Sequence, residues 1–221
     1  MLNLFITMLV SQNLFAKTYG GTAIEYAHSI IQTADGGYAV AGGTRSFGAG
    51  SLDFLVLKLN SDGSLAWART FGGTNYDWAR SIIQTTDGGY AVAGYTESFG
   101  AGNRDFLVLK LNSNGSLAWA RTFGGTNYDW AWSIIQTTDG GYAVAGGAMS
   151  FGAGYADFLV LKLGPDGDYT GCVHDCSPTV NTPSPSTSTP SVGEDCSPSI
   201  SSPTPTVTTP SPTVTDVCPP R

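Results

Sequence analysis

Cysteine is missing from the first 171 residues of this 221-residue chain, and proline nearly so. All four cysteines and eleven of the twelve prolines lie beyond Gly171. The long N-terminal part therefore has no disulfide staples and must fold on an apolar core. Apart from Pro165, its backbone is also free of the residue that most often interrupts strand pairing. Basic residues are scarce: ten Lys and Arg, scattered singly, stand against seventeen Asp and Glu, for a net charge of −7. That excludes the clustered basic surface that nucleic acids and anionic membranes require. No run approaches the roughly 20 apolar residues of a spanning helix. Histidine occurs only as His28 and His174. No Ser–His–Asp set, nucleotide loop or paired-carboxylate motif is legible, so no enzyme, cofactor or metal centre is expected.

What the chain does have is repetition. Thr70–Leu111 returns as Thr122–Leu163, 52 residues on, with six differences, and the same text begins at Thr18. A fixed period of this length marks a repeat architecture in which each copy is one supersecondary unit. Gly, aromatic and β-branched residues dominate residues 17–170, while residues 171–221 are Ser, Thr and Pro with almost nothing to bury. The expected organisation is a three-repeat domain (17–69, 70–121, 122–170) followed by a Cys-containing stalk (171–221). Residues 1–16 read either as a signal peptide cleaved after Ala16 or as a partial strand, because Phe15–Gly21 aligns with Trp67–Gly73.

Within the second copy, Ala79–Thr85, Tyr90–Gly94, Asp105–Leu111 and Leu117–Arg121 are predicted strands separated by turn clusters. Asp105–Leu111 (DFLVLKL) is apolar on both faces and should be covered on both. Asn114-Gly115 is expected to form a type I′ hairpin turn. Four short strands with two apolar faces cannot bury themselves, so the copies must pack face to face. The predicted fold class is all-β: three four-stranded antiparallel repeats arranged as β-propeller-like blades, with a β-trefoil or β-prism as the alternative. Three blades are fewer than a ring needs, so closure is expected through self-association or a larger array. The third copy lacks the text of its last strand, for which Phe15–Tyr19 is a candidate.

Three words recur in order: D-G-G-Y-x-V-A-G at Asp87–Gly94, S-F-G-x-G-x-x-D-F-x-V-L-K-L at Ser98–Leu111, and W-x-x-T-F-G-G at Trp119–Gly125. Over about residues 13–170 the chain resembles the bacterial and archaeal secreted β-propeller repeat proteins, related to the SBBP and delta-60 repeats. The resemblance implies an extracytoplasmic propeller-like domain of the kind found in surface or adhesion-like proteins. It transfers no catalytic residue.

In an antiparallel meander, alternate loops emerge at one end. The connector between repeats and the Ser-Phe-Gly-Ala-Gly loop should therefore share an end, which carries Asn75, Tyr76, Asp77 and Trp78, then Asn127, Tyr128, Asp129 and Trp130. Aromatic platforms beside amides and carboxylates suit a glycan or protein ligand. They equally suit wedges between blades and caps on loop amides. Asp53, Asp105 and Asp157, each just before a third strand, are expected as caps and not as calcium ligands. His28 aligns with Arg80 and Trp132 and is read as a tolerant exposed position. In the stalk, Cys172, Cys176, Cys196 and Cys218 allow three pairings, and disulfides there fit an oxidising compartment. The functional expectation is a secreted or surface-displayed structural or interaction module acting by binding or self-assembly. The alternative is a carbohydrate-binding or carbohydrate-active propeller protein.

Overall fold

The computed structural model describes residues 14–152 and 155–169, and the backbone of three short segments farther on. After a short β1 (Thr18–Gly20) come two four-stranded antiparallel sheets. The first holds β2 (Glu25–Gln32), β3 (Tyr38–Thr44), β4 (Asp53–Leu59) and β5 (Leu65–Gly72). The second holds β6 (Asp77–Gln84), β7 (Tyr90–Thr96), β8 (Asp105–Leu111) and β9 (Leu117–Phe123). The third repeat has three strands, β10 (Asp129–Gln136), β11 (Tyr142–Ala148) and β12 (Asp157–Leu163). Each sheet is a meander whose neighbours in sequence are neighbours in space. No helix occurs among the described residues.

The sheets stack face to face because the third strands are apolar on both sides. Phe54 and Val56 point forward onto the second sheet, beside Ile82, Tyr90, Leu107 and Leu109. Phe106 and Val108 point forward onto the third, beside Ile134, Tyr142, Leu159 and Leu161. All seven residues of β7 and of β8 are buried, which matches the middle position in a stack. The first strands carry the contacts between blades: β6 lies against β2 and β3, and β10 against β6 and β7. The repeats are thus wedge-like blades fanned about an axis on the side of their first strands, and not the threefold caps of a trefoil or the separate sheets of a prism.

Two details differ from the sequence expectation. The Asn114-Gly115 turn is not a two-residue type I′ loop. Gly115 N donates to Asn112 O at 2.9 Å and Asn112 N to Ser116 O at 2.8 Å, so the loop spans three residues, with Gly115 at φ 79°. The Asn114 side-chain oxygen accepts from Ser116 N and Oγ, which holds the longer loop. Second, β1 does not complete the third sheet of its own chain. It lies against the first blade, where Tyr19 packs with Leu55, Leu57 and Leu59.

Beyond the blades, β13 (His174–Asp175) pairs with β9, β14 (Thr179–Asn181) with β5, and β15 (Ser186–Ser188) with β1. The cysteines Cys172, Cys176, Cys196 and Cys218 and residues 1–13 lie outside the described residues.

Candidate functional site

The first strand of each blade carries a bulge. Ala27 pairs with Gly42 and Ser29 with Ala41, which leaves His28 as the extra residue. Arg80 and Trp132 occupy the same bulge in the next two blades. A bulge re-aims the side chain it inserts, and here it sets three different side chains along the axis. The Tyr26 ring stacks on Trp78 at 5.7 Å, and the His28 ring lies 5.1 Å from Trp78. The Arg80 guanidinium sits between the Trp78 ring at 4.8 Å and the Trp132 ring at 4.7 Å, with Tyr95 at 5.6 Å. Burial and the Arg80 charge lower the His28 pKa, so the imidazole is neutral at neutral pH. Arg80 Nε and Trp78 Nε1 are buried and have no acceptor among the described residues. Leaving such donors unpaired costs about 1–3 kcal/mol each.

Around this patch lies the connector end, and the connector and the Ser-Phe-Gly loops do share it. Asp77 N donates to Leu52 O at 2.7 Å, and Asn75 N to Ser98 Oγ at 3.0 Å. Tyr76 and Tyr128 are the exposed aromatic members of the predicted face, at 36% and 42%. Each has an arginine from the preceding blade over its ring, Arg45 and Arg104, both at 5.4 Å. Arg104 is also held by Glu97 at 2.7 Å. Asn75 and Asn127 reach the surface, but their amides donate to Glu97 O at 3.0 Å and Met149 O at 3.4 Å. Asp77 and Asp129 are fully buried. The Asp77 carboxylate accepts from Gly73 N and Ser98 Oγ, both at 2.7 Å, and from Thr96 Oγ1. Asp129 accepts from Gly125 N, Met149 N and Ser150 N. These two aspartates tie the loops together beneath the surface. Trp78 and Trp130 are half-buried beside the bulges.

Asp53 caps its loop, as expected, by accepting from Ala49 N at 3.0 Å and Gly50 N at 3.1 Å. Its other oxygen is buried, has no hydrogen-bond partner among the described residues and faces Asp77 across Gly72, where an added Cβ would meet both carboxylates. Burial pushes the Asp53 pKa up to about 6; the Asp77 charge adds to the rise, and the Gly50 amide opposes it. The described residues contain no group of three or more His, Cys, Asp or Glu suited to a metal ion.

Residues 33–65 and 85–117 match the domain of unknown function (DUF5122) beta-propeller. The matched segments are similar to β-propeller repeats. The two matched segments cover the second and third strands of the first two propeller blades with the hairpins that flank them. The bulged first strands and the connectors, where the aromatic patch lies, fall outside the matched segments. No curated protein matches the chain.

Trp78, Tyr76 and Tyr128 belong to the face read from the sequence, whereas His28, Arg80 and Trp132 do not, because the sequence reads position 28 as tolerant. The available signal was variation: residues 28, 80 and 132 differ in all three copies of an otherwise near-constant strand. Only the pairing register shows that this position is the bulged one.

Proposed function

We propose that the propeller-like head is an extracytoplasmic binding module whose ligand rests on the patch formed by Tyr26, His28, Trp78, Arg80 and Trp132, with Tyr76 and Tyr128 at its rim. The observation that carries this reading is Arg80. It is a guanidinium held over two indoles, Trp78 at 4.8 Å and Trp132 at 4.7 Å. Flat aromatic faces and one cation suit a glycan bearing hydroxyl and carboxylate groups. Display outside the cytoplasm is supported by the Ser/Thr/Pro composition of residues 171–221 and by the confinement of all four cysteines to that segment. The head acts by holding its ligand, and the tail acts as a spacer.

The test is retention on immobilised polysaccharides, one set neutral and one containing uronic acids. The intact chain is expected to bind the acidic set. Tyr76→Ala with Tyr128→Ala is expected to weaken binding about tenfold or more while moving the melting temperature little, since both rings are partly exposed. Arg80→Gln is expected to abolish the preference for acidic sugars. Absence of binding to either set, or binding indifferent to all three changes, would refute the proposal.

A further inference from the structure

The two ends of the blade stack are complementary, residue for residue. On the forward face of the first two blades, Phe54, Val56, Phe106 and Val108 are all 0% exposed. On the forward face of the third blade, the equivalent Phe158 and Val160 are 97% and 69% exposed. On the backward face, Ile82 and Ile134 are 2% exposed, whereas their equivalent in the first blade, Ile30, is 63% exposed.

The joints between blades show what belongs in each place. The Phe54 ring packs on Gly94 of the next blade so closely that an added Cβ would meet it at 2.9 Å. Phe106 packs on Gly146 in the same way, at 2.6 Å. The equivalent glycine in the first blade is Gly42, whose three nearest neighbours among the described residues are backbone atoms of Tyr26 and Ala27 and not a phenylalanine ring. It opens instead into a cavity of about 600 Å³ with Tyr26, Val40, Leu55 and Leu57 in its wall and β1 along one side.

β1 and the residues before it identify the occupant. Phe15 meets Tyr38 edge-on at 5.7 Å, as Trp67 meets Tyr90 at 5.7 Å and Trp119 meets Tyr142 at 5.6 Å. Lys17 Nζ donates to Asp62 O, as Arg69 and Arg121 donate to Asn114 O and Asp166 O. β15 pairs with β1 at Gly20, Tyr19 and Thr18, in the register at which β14 pairs with β5 at Gly72, Phe71 and Thr70. Towards the first blade, Phe15–Gly20 therefore behaves as the fourth strand of a preceding blade whose other three strands are the missing occupant of the cavity. Among the described residues the third repeat is a sheet of three strands, β10 to β12.

We propose that a second copy of this chain supplies them. The β10–β12 sheet of one copy seats in the cavity of the other, with Phe158 against Gly42, and β1 of that other copy becomes its fourth strand. In the repeat register, Phe158 then pairs with Tyr19 and Val160 with Lys17, as Phe54 pairs with Phe71 and Val56 with Arg69. The contact is head-to-tail, so it forms twice in a closed dimer. Two chains supply six blades, inside the roughly four to eight that propellers use, and three chains would overshoot it. This goes beyond the ligand reading and stands without it, although closure would also bring Trp132 of one copy towards the bulge of His28 in the other.

The experiment is the solution mass of the intact chain by light scattering, with two variants. The wild type is expected at twice the 23.0 kDa chain mass. Phe158→Glu and Ile30→Glu are each expected at the single-chain mass with an unchanged β-sheet circular dichroism spectrum, because both side chains are exposed within one chain. Each variant retains one intact face, so mixing them should restore a species of twice the chain mass. A wild type of single-chain mass, an assembly larger than two copies, a dimer that survives Phe158→Glu, or variants that do not recombine would each overturn the proposal.

Discussion

Phe106→Ala is expected to lower the unfolding free energy by about 3–5 kcal/mol, the range for deleting a fully buried phenylalanine that leaves a cavity. Phe106 is 0% exposed, lies between the second and third blades, and packs on Gly146. The glycine has no side chain with which to fill the space, so the hole should persist instead of collapsing. The protein carries its own control. Phe158 has the same neighbours in sequence but is 97% exposed within one chain. In a chain held single by Ile30→Glu, Phe158→Ala is expected to cost under about 0.5 kcal/mol, as for an ordinary surface change. Urea midpoints of the two substitutions in that background measure the contrast. Equal losses would mean that the third strands do not stack as described.

The second large effect concerns the Asp53–Asp77 pair. Asp53 has its pKa raised to about 6, from burial first and with the Asp77 charge adding to it. Burial raises Asp77 as well, against its hydrogen bonds to Thr96, Gly73 and Ser98. A carboxyl whose pKa is raised on folding stabilises the folded state fully at pH below its unfolded value, near 3.8. That contribution fades as pH climbs through about 6. Asp53→Asn removes the titration and keeps an oxygen for the Ala49 and Gly50 amides. It also presents an N–H donor where an unpartnered oxygen faced Asp77. The variant is therefore expected to be more stable than wild type by about 1–3 kcal/mol at pH 7, with the advantage vanishing towards pH 4. Chemical denaturation of both proteins across that interval would show it. A variant less stable than wild type at pH 7 would mean that the carboxylate is held by a charge partner, such as a cation, and is not simply buried.

Much of the architecture was legible because the repeat reports itself. The third strand was predicted at Asp105–Leu111 and stands there as β8, since a run apolar on both faces has only one use in a stack of sheets. The first strand begins earlier than predicted, at Asp77, because pairing of Asp77 with Thr96 extends it into the connector. The shared loop end was also readable from meander geometry alone. What escaped was everything that depends on a neighbour. Phe54, Phe106 and Phe158 sit in identical words, yet one of the three is exposed. Asp53 and Asp77 lie in different repeats, and their opposition across Gly72 arises only when two blades meet. The bulge at residues 28, 80 and 132 is a matter of register, which composition does not encode. The Asn-Gly turn was misjudged because the Asn114 side chain favours a longer loop than its dipeptide suggests.

The central claim is that every apolar blade face in this protein is built to receive another blade. The most direct test is amide hydrogen exchange of the intact chain, comparing β8 with β12, two strands of identical sequence. If blade faces are covered throughout, Asp157–Leu163 will exchange as slowly as Asp105–Leu111 in the wild type and will become fast in Phe158→Glu, while β8 stays slow. Rapid exchange of β12 in the wild type, at a concentration where light scattering is also measured, would contradict the account and leave an open three-blade stack.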